Sequence, residues 1–289
     1  MKSDESGPAI GVVTVAYRSD DVLPAFLASV PTASIRAIAA VVVDNRPGDE
    51  SAAHDLAIAA RATYVPMPEN PGYGGAINAG VAALPESVDW VLVTNPDVTL
   101  TRGAIDTLVA VGMSSDDIGS VGPAVLNSDG TVYPSARAVP SLRTGIGHAL
   151  FVNLWQTNPW TRRYRQEAPM GGGRRDTGWL SGACVLVRRS AFVDVGGFDD
   201  EYFMYFEDVD LGYRLGKSGW RNVYEPAATV THSGAHSTTQ ESALMVRAHH
   251  ASARRFLSKK YAAWWLWPVR VALSAGLAVR SGLVRRHAE

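Results

Sequence analysis

Residues 10–17 read IGVVTVAY and residues 39–44 read AAVVVD. Between them, Asp21–Val30 carries Val22, Leu23, Phe26, Leu27 and Val30 on one helical side. Two compact β-branched runs flanking a helix predict parallel strands joined by a crossover. The pattern repeats outward. Ser51–Arg61 reads as an alanine-rich helix and Ala62–Pro66 as a short strand. Gly74–Leu84 is a helix opened by glycines, Trp90–Thr94 (WVLVT) a fourth strand and Arg102–Val111 another helix. The expected fold class is therefore α/β, a mostly parallel Rossmann-like sheet with flanking helices. Ligands on such sheets bind beyond the carboxyl ends of the strands. Asp44 ends the second strand, and Asn95-Pro96-Asp97 follows the fourth.

From about Ser135 to Asp176 the periodicity fails. The stretch holds seven arginines (Arg137, Arg143, Arg162, Arg163, Arg165, Arg174, Arg175), Trp155 and Trp160. Long irregular segments inside compact domains are usually functional loops or disordered. Regular pattern returns with a strand over Trp179–Arg188 and a helix from Ser190. An aromatic loop from Phe198 runs into a helix that closes near Gly219, and Asn222–Tyr224 and Ala228–His232 read as the last strands. The expected division is a domain over residues 1–238, with 135–178 irregular, and a helical tail over 239–289.

With 46% hydrophobic and 19% charged residues, the chain is a globular protein rather than a disordered one. Its single cysteine, Cys184, excludes an intramolecular disulfide framework and a Cys-rich zinc site. The start, MKSDESGPAI, lacks the basic and apolar regions of a secretory signal. The 27 Lys+Arg against 28 Asp+Glu conceal an asymmetry. Nine Lys/Arg and one acid lie between Arg247 and Glu289, leaving 18 basic and 27 acidic residues elsewhere. Within that basic tail, Tyr261–Val284 combines three close tryptophans with interrupting arginines. At ~100° per residue, Arg270, Ser274, Ser281 and Arg285 share a sector of about 60° on an amphipathic helix. Tryptophan and arginine beside an apolar helix predict residence at a membrane interface rather than on nucleic acid. The alternative is a terminal helix packed on the body or on another subunit, so an oligomer stays open.

Several residues are candidates for chemistry. Asp44 suits hydrogen bonds from a nucleobase imide or ribose, or else a turn. Asn70–Gly80 (NPGYGGAINAG) brings backbone N–H groups close to a phosphate or sugar, or simply makes a tight loop before a packed helix. Its spacing is not G-x-G-x-x-G, which argues against a dinucleotide fold. Asn95 and Asp97, one residue apart on an extended chain, point the same way and suit a hard divalent cation, or else an Asn-Pro turn and cap. Glu207-Asp208-Val209-Asp210 is the densest acidic cluster and adjoins Tyr202–Phe206. Aromatic burial there raises a carboxyl pKa toward general-base duty, and a first-turn acidic cluster also suits the helix dipole. His232 follows a strand, and no H-E-x-x-H spacing exists, which disfavours a zinc hydrolase.

Taken in order, IGVVTVAYRSDDVLPAFLASV, VVVDN, ENPGYGGAINAG, VTNPDV, WLSGACVLVRRSAFVDVGGFDDEYFMYFEDVDLGYRL and the late His232 resemble the inverting family 2 glycosyltransferases of GT-A fold. The nearer likeness is to the actinobacterial rhamnosyltransferases that act on the polyprenyl-diphosphate-GlcNAc linker of cell-wall arabinogalactan. The resemblance implies a dTDP-sugar donor, a polyprenyl-diphosphate-linked GlcNAc acceptor and a divalent cation, Mg²⁺ or Mn²⁺. It implies Asp208 as catalytic base, and Asp97 and His232 as metal ligands. Tyr17, Asp44, Asn70, Gly72, Tyr73, Gly74, Asn78 and Asn95 then lie on the donor side, and Trp179, Ser181, Gly182 and Glu207 on the acceptor side. Asn95 stands where relatives carry the first aspartate of a D-x-D site. The resemblance further implies a cytoplasmic enzyme, peripheral on the inner face of the plasma membrane through its tail. Composition adds that the arginine-rich segment suits the acceptor's diphosphate. Alternatives are another donor, such as UDP-galactofuranose, or a nucleotide-sugar-binding protein without catalysis.

Overall fold

The computed structural model describes residues 9–46, 48, 51–141, 172–234, 242–268 and 271. The interior of the arginine-rich segment, with Arg143, Trp155, Trp160, Arg162, Arg163 and Arg165, lies outside these residues. So does most of the expected tail helix, with Arg270, Ser274, Ser281 and Arg285.

The first half alternates as its periodicity predicts. β1 (Ala9–Ala16), α1 (Leu23–Ser29), β2 (Ile38–Asp44), α2 (Ala53–Ala59) and β3 (Thr63–Pro66) come first. They are followed by α3 (Gly72–Ala82), β4 (Val88–Thr94), β5 (Val98–Leu100), α4 (Ala104–Gly112) and β6 (Ile118–Leu126). Short strands β7 (Val132–Tyr133), β8 (Ala136–Arg137), β9 (Arg175–Thr177) and β10 (Trp179–Leu180) lead to β11 (Cys184–Arg188). The chain continues through α5 (Arg189–Asp194), α6 (Glu207–Lys217), β12 (Arg221–His232) and α7 (Ser242–Lys260).

The main sheet runs β3-β2-β1-β4-β11-β6-β12-β5. The first four strands and the β6–β12 pair are parallel, while β11 is antiparallel to both its neighbours and β5 to β12. Side chains alternate across it with period two. Ile10, Val12, Val42, Trp90, Leu92, Cys184 and Leu186 face a core closed by α1, α2 and α4. Val13, Val15, Val41, Val43, Val91, Val93, Val185 and Val187 face a second core under α3, α5 and α6. Each fully buried Val or Leu contributes about 1.5–3 kcal/mol, so two-sided burial fixes the strand registers.

Two strand expectations need correction. Trp179–Arg188 is not one strand: β10 pairs with β8 in a separate two-stranded sheet, and β11 joins the main sheet. The break falls at Ser181–Ala183, whose backbone groups turn to other partners: the Ser181 N–H donates to Ser135 O (2.8 Å) and Ala183 O accepts from the Asn95 N–H (3.0 Å). Conversely, the last two strands are one, β12, irregular between Glu225 and Thr229.

The chain after β12 folds back. In α7, Phe256 is fully buried against Tyr202 and Val209. Arg255 and Lys259 reach Asp199 (2.9 and 2.7 Å), and Lys259 also reaches Asp210 (2.7 Å). Part of the basic excess read from the sequence thus neutralises carboxylates of the body. Beyond α7, Trp264–Leu266 forms a 3₁₀ turn, and Trp264, Trp265 and Trp267 are exposed. Among the described residues no helix is long and apolar enough to cross a membrane.

Candidate active site

The carboxyl ends of β1, β2 and β4 meet the start of α6 at one edge of the sheet, and the end of β12 closes beside them. At the outer end, the Asn45 N–H bonds Ala16 O (2.9 Å), which sets exposed Tyr17 beside Asp44. Asp44 is buried. Its Oδ1 accepts from the Arg46 N–H (2.9 Å) and its Oδ2 from the hydroxyls of Ser51 (2.7 Å) and Tyr64 (3.0 Å). Burial and this contact push the Tyr64 hydroxyl up to about 12. Asp44 therefore fills the turn role the sequence allowed.

The glycine-rich loop is a packing device here. Asn70 Oδ1 accepts from the Gly72 N–H (2.9 Å) and from Asn45 Nδ2 (3.1 Å). Gly72 has φ +83°, and a Cβ there would collide with the Phe203 carbonyl. A Cβ on Gly74 would lie 2.9 Å from Phe198 Cβ. Asn78 Nδ2 donates to Phe198 O (2.9 Å) and Asp200 Oδ1 (2.6 Å), while its Oδ1 accepts from the Phe198 N–H (2.9 Å). Gly72, Gly74 and Asn78 thus hold α3 against the aromatic loop 198–206, and Asn70 ties the start of α3 to Asn45. Tyr73 donates its hydroxyl to Gly182 O (2.7 Å). Burial, with the Glu207 and Asp208 charges, raises its pKa well above the phenolic value.

Antiparallel pairing of β5 with β12 sets His232 opposite Val98. His232 Nε2 accordingly lies 3.1 Å from Asp97 Oδ1 and 3.3 Å from the Asn95 amide. Adjacent ligands on a six-coordinate cation with ~2.1 Å bonds stand about 3 Å apart, so this trio has the right spacing for one. Rotating the Asn95 amide presents its oxygen, the hard donor such an ion takes. Among the described residues no group of three or more His, Cys, Asp or Glu is placed to hold a metal, and the third donor here is an amide.

The other half of the site is built on the β10–β11 turn. Asp208 Oδ2 accepts from the Gly182 N–H (3.0 Å) and its Oδ1 from the Val209 N–H (2.8 Å). Ala183, the next residue, bonds Asn95, so a single turn connects Asp208 to the Asn95–Asp97–His232 group. Burial raises the Asp208 pKa; the Gly182 N–H and, more weakly, the Arg137 charge oppose that rise. Glu207 is buried with Oε2 unpartnered, and burial plus repulsion from Asp208 push it up to about 8. Tyr205 and Phe206 precede this pair with φ of 66° each. Left-handed geometry in bulky residues costs about 1–3 kcal/mol apiece and persists where packing over-determines it; Phe206 packs on Phe256 of α7. Burial pushes the Cys184 thiol up to about 12, which leaves it no nucleophilic character at neutral pH.

Trp179 packs on Gly212 of α6 and donates its indole N–H to Ala138 O (3.1 Å). Across the β8–β10 pair stands Arg137, a residue that no motif singled out from the seven arginines. Arg174 pairs with Glu225 (2.6 Å) and Arg175 covers the Tyr224 ring. The α7 contacts were also missed, because their partners lie far apart in sequence.

Comparison with known proteins agrees with this geometry. The model of the family described as "Glycosyltransferase like family 2" matches residues 8–254. The chain is 44% identical over 284 residues to the N-acetylglucosaminyl-diphospho-decaprenol L-rhamnosyltransferase of Mycobacterium tuberculosis, covering 95% of this chain and 92% of that one. It is 43% identical over 82 residues to rhamnosyltransferase WbbL of Escherichia coli K12, covering 28% and 31% of the two chains. Among solved structures, GalNAc-T7 with UDP, GalNAc and Mn²⁺ superposes with a TM-score of 0.60 at 15% identity, over 88% of this chain and 48% of that one. The mannosyltransferase PcManGT of Pyrobaculum calidifontis, in complex with GDP-Man and Mn²⁺, gives 0.57 at 16% identity over 98% and 80%. The mixed, mostly parallel sheet with flanking helices is the GT-A glycosyltransferase fold, and the chain belongs to the family 2 glycosyltransferases.

Proposed function

We propose that this glycosyltransferase moves L-rhamnose from dTDP-L-rhamnose to the GlcNAc of a polyprenyl diphosphate, with inversion at the sugar. The near full-length match to the mycobacterial L-rhamnosyltransferase carries the reading. The acceptor hydroxyl gives its proton to Asp208 while its oxygen forms a bond to the rhamnosyl anomeric carbon. The bond from that carbon to the diphosphate oxygen breaks, and dTDP leaves with the electron pair. One buried base, with no activated nucleophile beside it among the described residues, suits a single displacement.

Asp97, His232 and the Asn95 amide would hold a divalent cation, Mg²⁺ or Mn²⁺, which when bound neutralises the leaving diphosphate. The solved Mn²⁺ complexes of fold relatives support a divalent ion of this kind. Tyr17 and Asp44 flank the nucleoside end of the donor. Asn70, Gly72, Gly74 and Asn78 serve it indirectly, by fixing the aromatic loop that leads into Asp208. Trp179, Ser181, Gly182, Tyr73 and Glu207 form the acceptor side. The protein works peripherally on the cytoplasmic face of the plasma membrane, anchored through exposed Trp264, Trp265 and Trp267.

The test is product mass after incubation with Mg²⁺, a short polyprenyl-diphosphate-GlcNAc and a panel of nucleotide sugars. A deoxyhexose added from dTDP-rhamnose alone is expected. A hexose added from UDP-galactofuranose would replace the donor assignment. Nucleotide binding without transfer from any donor would reject the reading.

A further inference from the structure

Arg137 sits on β8, opposite Trp179 of β10. Its Nε donates to Pro134 O (2.7 Å), and its guanidinium carbon lies 5.7 Å from the Tyr133 ring centre and 5.8 Å from that of Trp179. One carbonyl and two aromatic rings therefore orient the head group. Among the described residues neither Nη nitrogen pairs with a carboxylate, whereas Arg174 is paired with Glu225. The head group is near enough to Asp208 for its charge to act on that carboxyl, and Trp179 rests on the helix that carries Asp208. A fixed guanidinium whose Nη1–Nη2 edge meets no carboxylate among the described residues, near a catalytic base, matches a bidentate ligand for phosphate oxygens.

An acceptor hydroxyl and the anomeric diphosphate of the same sugar lie one pyranose ring apart. If Asp208 takes the proton of that hydroxyl, the diphosphate falls about one ring away from the base, a span that a guanidinium held beside Trp179 can bridge. We propose that Arg137 binds the diphosphate of the lipid-linked acceptor and makes the enzyme select a glycosyl diphosphate over a neutral glycoside. The proposal rests on the acceptor side of the reading above and names the part of the acceptor that is recognised. It confines to one residue a role that composition spread over seven.

The experiment compares two acceptors, a farnesyl-diphosphate-GlcNAc and an octyl β-GlcNAc, with wild type, Arg137→Gln and Arg137→Lys. KM values are read from transfer and Kd values from calorimetry with dTDP and Mg²⁺ present. The expected result is a wild-type preference for the diphosphate that collapses tenfold or more in Arg137→Gln and is partly restored in Arg137→Lys. A preference that survives Arg137→Gln overturns the proposal. So does a pH–rate profile that shifts equally for both acceptors while the preference stays intact, since Arg137 would then act only through Asp208. If no rhamnose is transferred, the function reading fails, yet the Kd ratio still decides the proposal: equal wild-type binding of the two ligands overturns it.

Discussion

Asp208 and Glu207 are adjacent carboxyls with different surroundings. Asp208 receives two backbone N–H groups and faces Arg137, whereas Glu207 has an oxygen with no partner. Asp208 is thus the carboxyl whose ionised form is held in place by hydrogen bonds, as a general base requires. Asp208→Asn should still fold cooperatively and lose transfer by about 10²-fold or more; steady-state rates beside a thermal melt check both parts. Glu207 makes a different prediction, on stability. Unfolded, it releases its proton near the ordinary 4.5; folded, it holds it up to about 8. The folded state carries the extra proton across that window, so stability falls as pH rises through it and levels off above. Glu207→Gln cannot titrate. Its melting temperature relative to wild type should climb by a few degrees between pH 5 and pH 8, and a constant difference would refute the buried-acid account.

The elements converge because of one loop. The aromatic segment 198–206 is clasped on one side by α3 and on the other by α7, and it ends at Glu207-Asp208. On the α3 side, the Tyr73 N–H bonds Phe203 O (3.1 Å), an approach that only a residue lacking Cβ permits at Gly72. Gly72→Ala adds both a left-handed strain and a clash with backbone. It should cost about 2 kcal/mol or more and lower kcat, since the displaced loop carries the base; urea unfolding and single-turnover rates measure the two effects. On the α7 side, Phe256 fills the space under Tyr202, and the Ser252 hydroxyl donates to Met204 O (2.8 Å). The helix read from sequence as the start of a tail therefore braces the loop that leads into Asp208.

At the scale of the whole molecule, charge and exposed aromatic surface separate. Arg255 and Lys259 are turned inward to Asp199 and Asp210, while Trp264, Trp265 and Trp267 stay outside. On the proposed membrane reading, that division assigns the contact to the tryptophans more than to the cations of α7. Replacing the three tryptophans by serine should reduce binding to anionic vesicles tenfold or more without changing the melting temperature, because the side chains support no core. Vesicle co-sedimentation measures it, and undiminished binding would assign the tryptophans to a protein contact.

The amino-acid sequence by itself determined the strand–helix alternation of the first half, the placing of Asp44, Asn95 and Asp97 at strand ends, and the ordered motifs of the family. These are local or periodic properties: a strand buried on both faces and a helix with one apolar stripe write their periods directly into the chain. Tertiary structure alone decided the break at Ser181–Ala183, the meeting of His232 with Asp97, the clasping of loop 198–206 and the place of Arg137 beside Trp179. Each depends on partners dozens of residues or more away. The turn at Gly182 follows from a carboxylate 26 residues on (Asp208), and His232 reaches Asn95 across 137 residues. Such contacts leave no period in the chain, because they are set by the packing of whole elements and not by the propensity of any one.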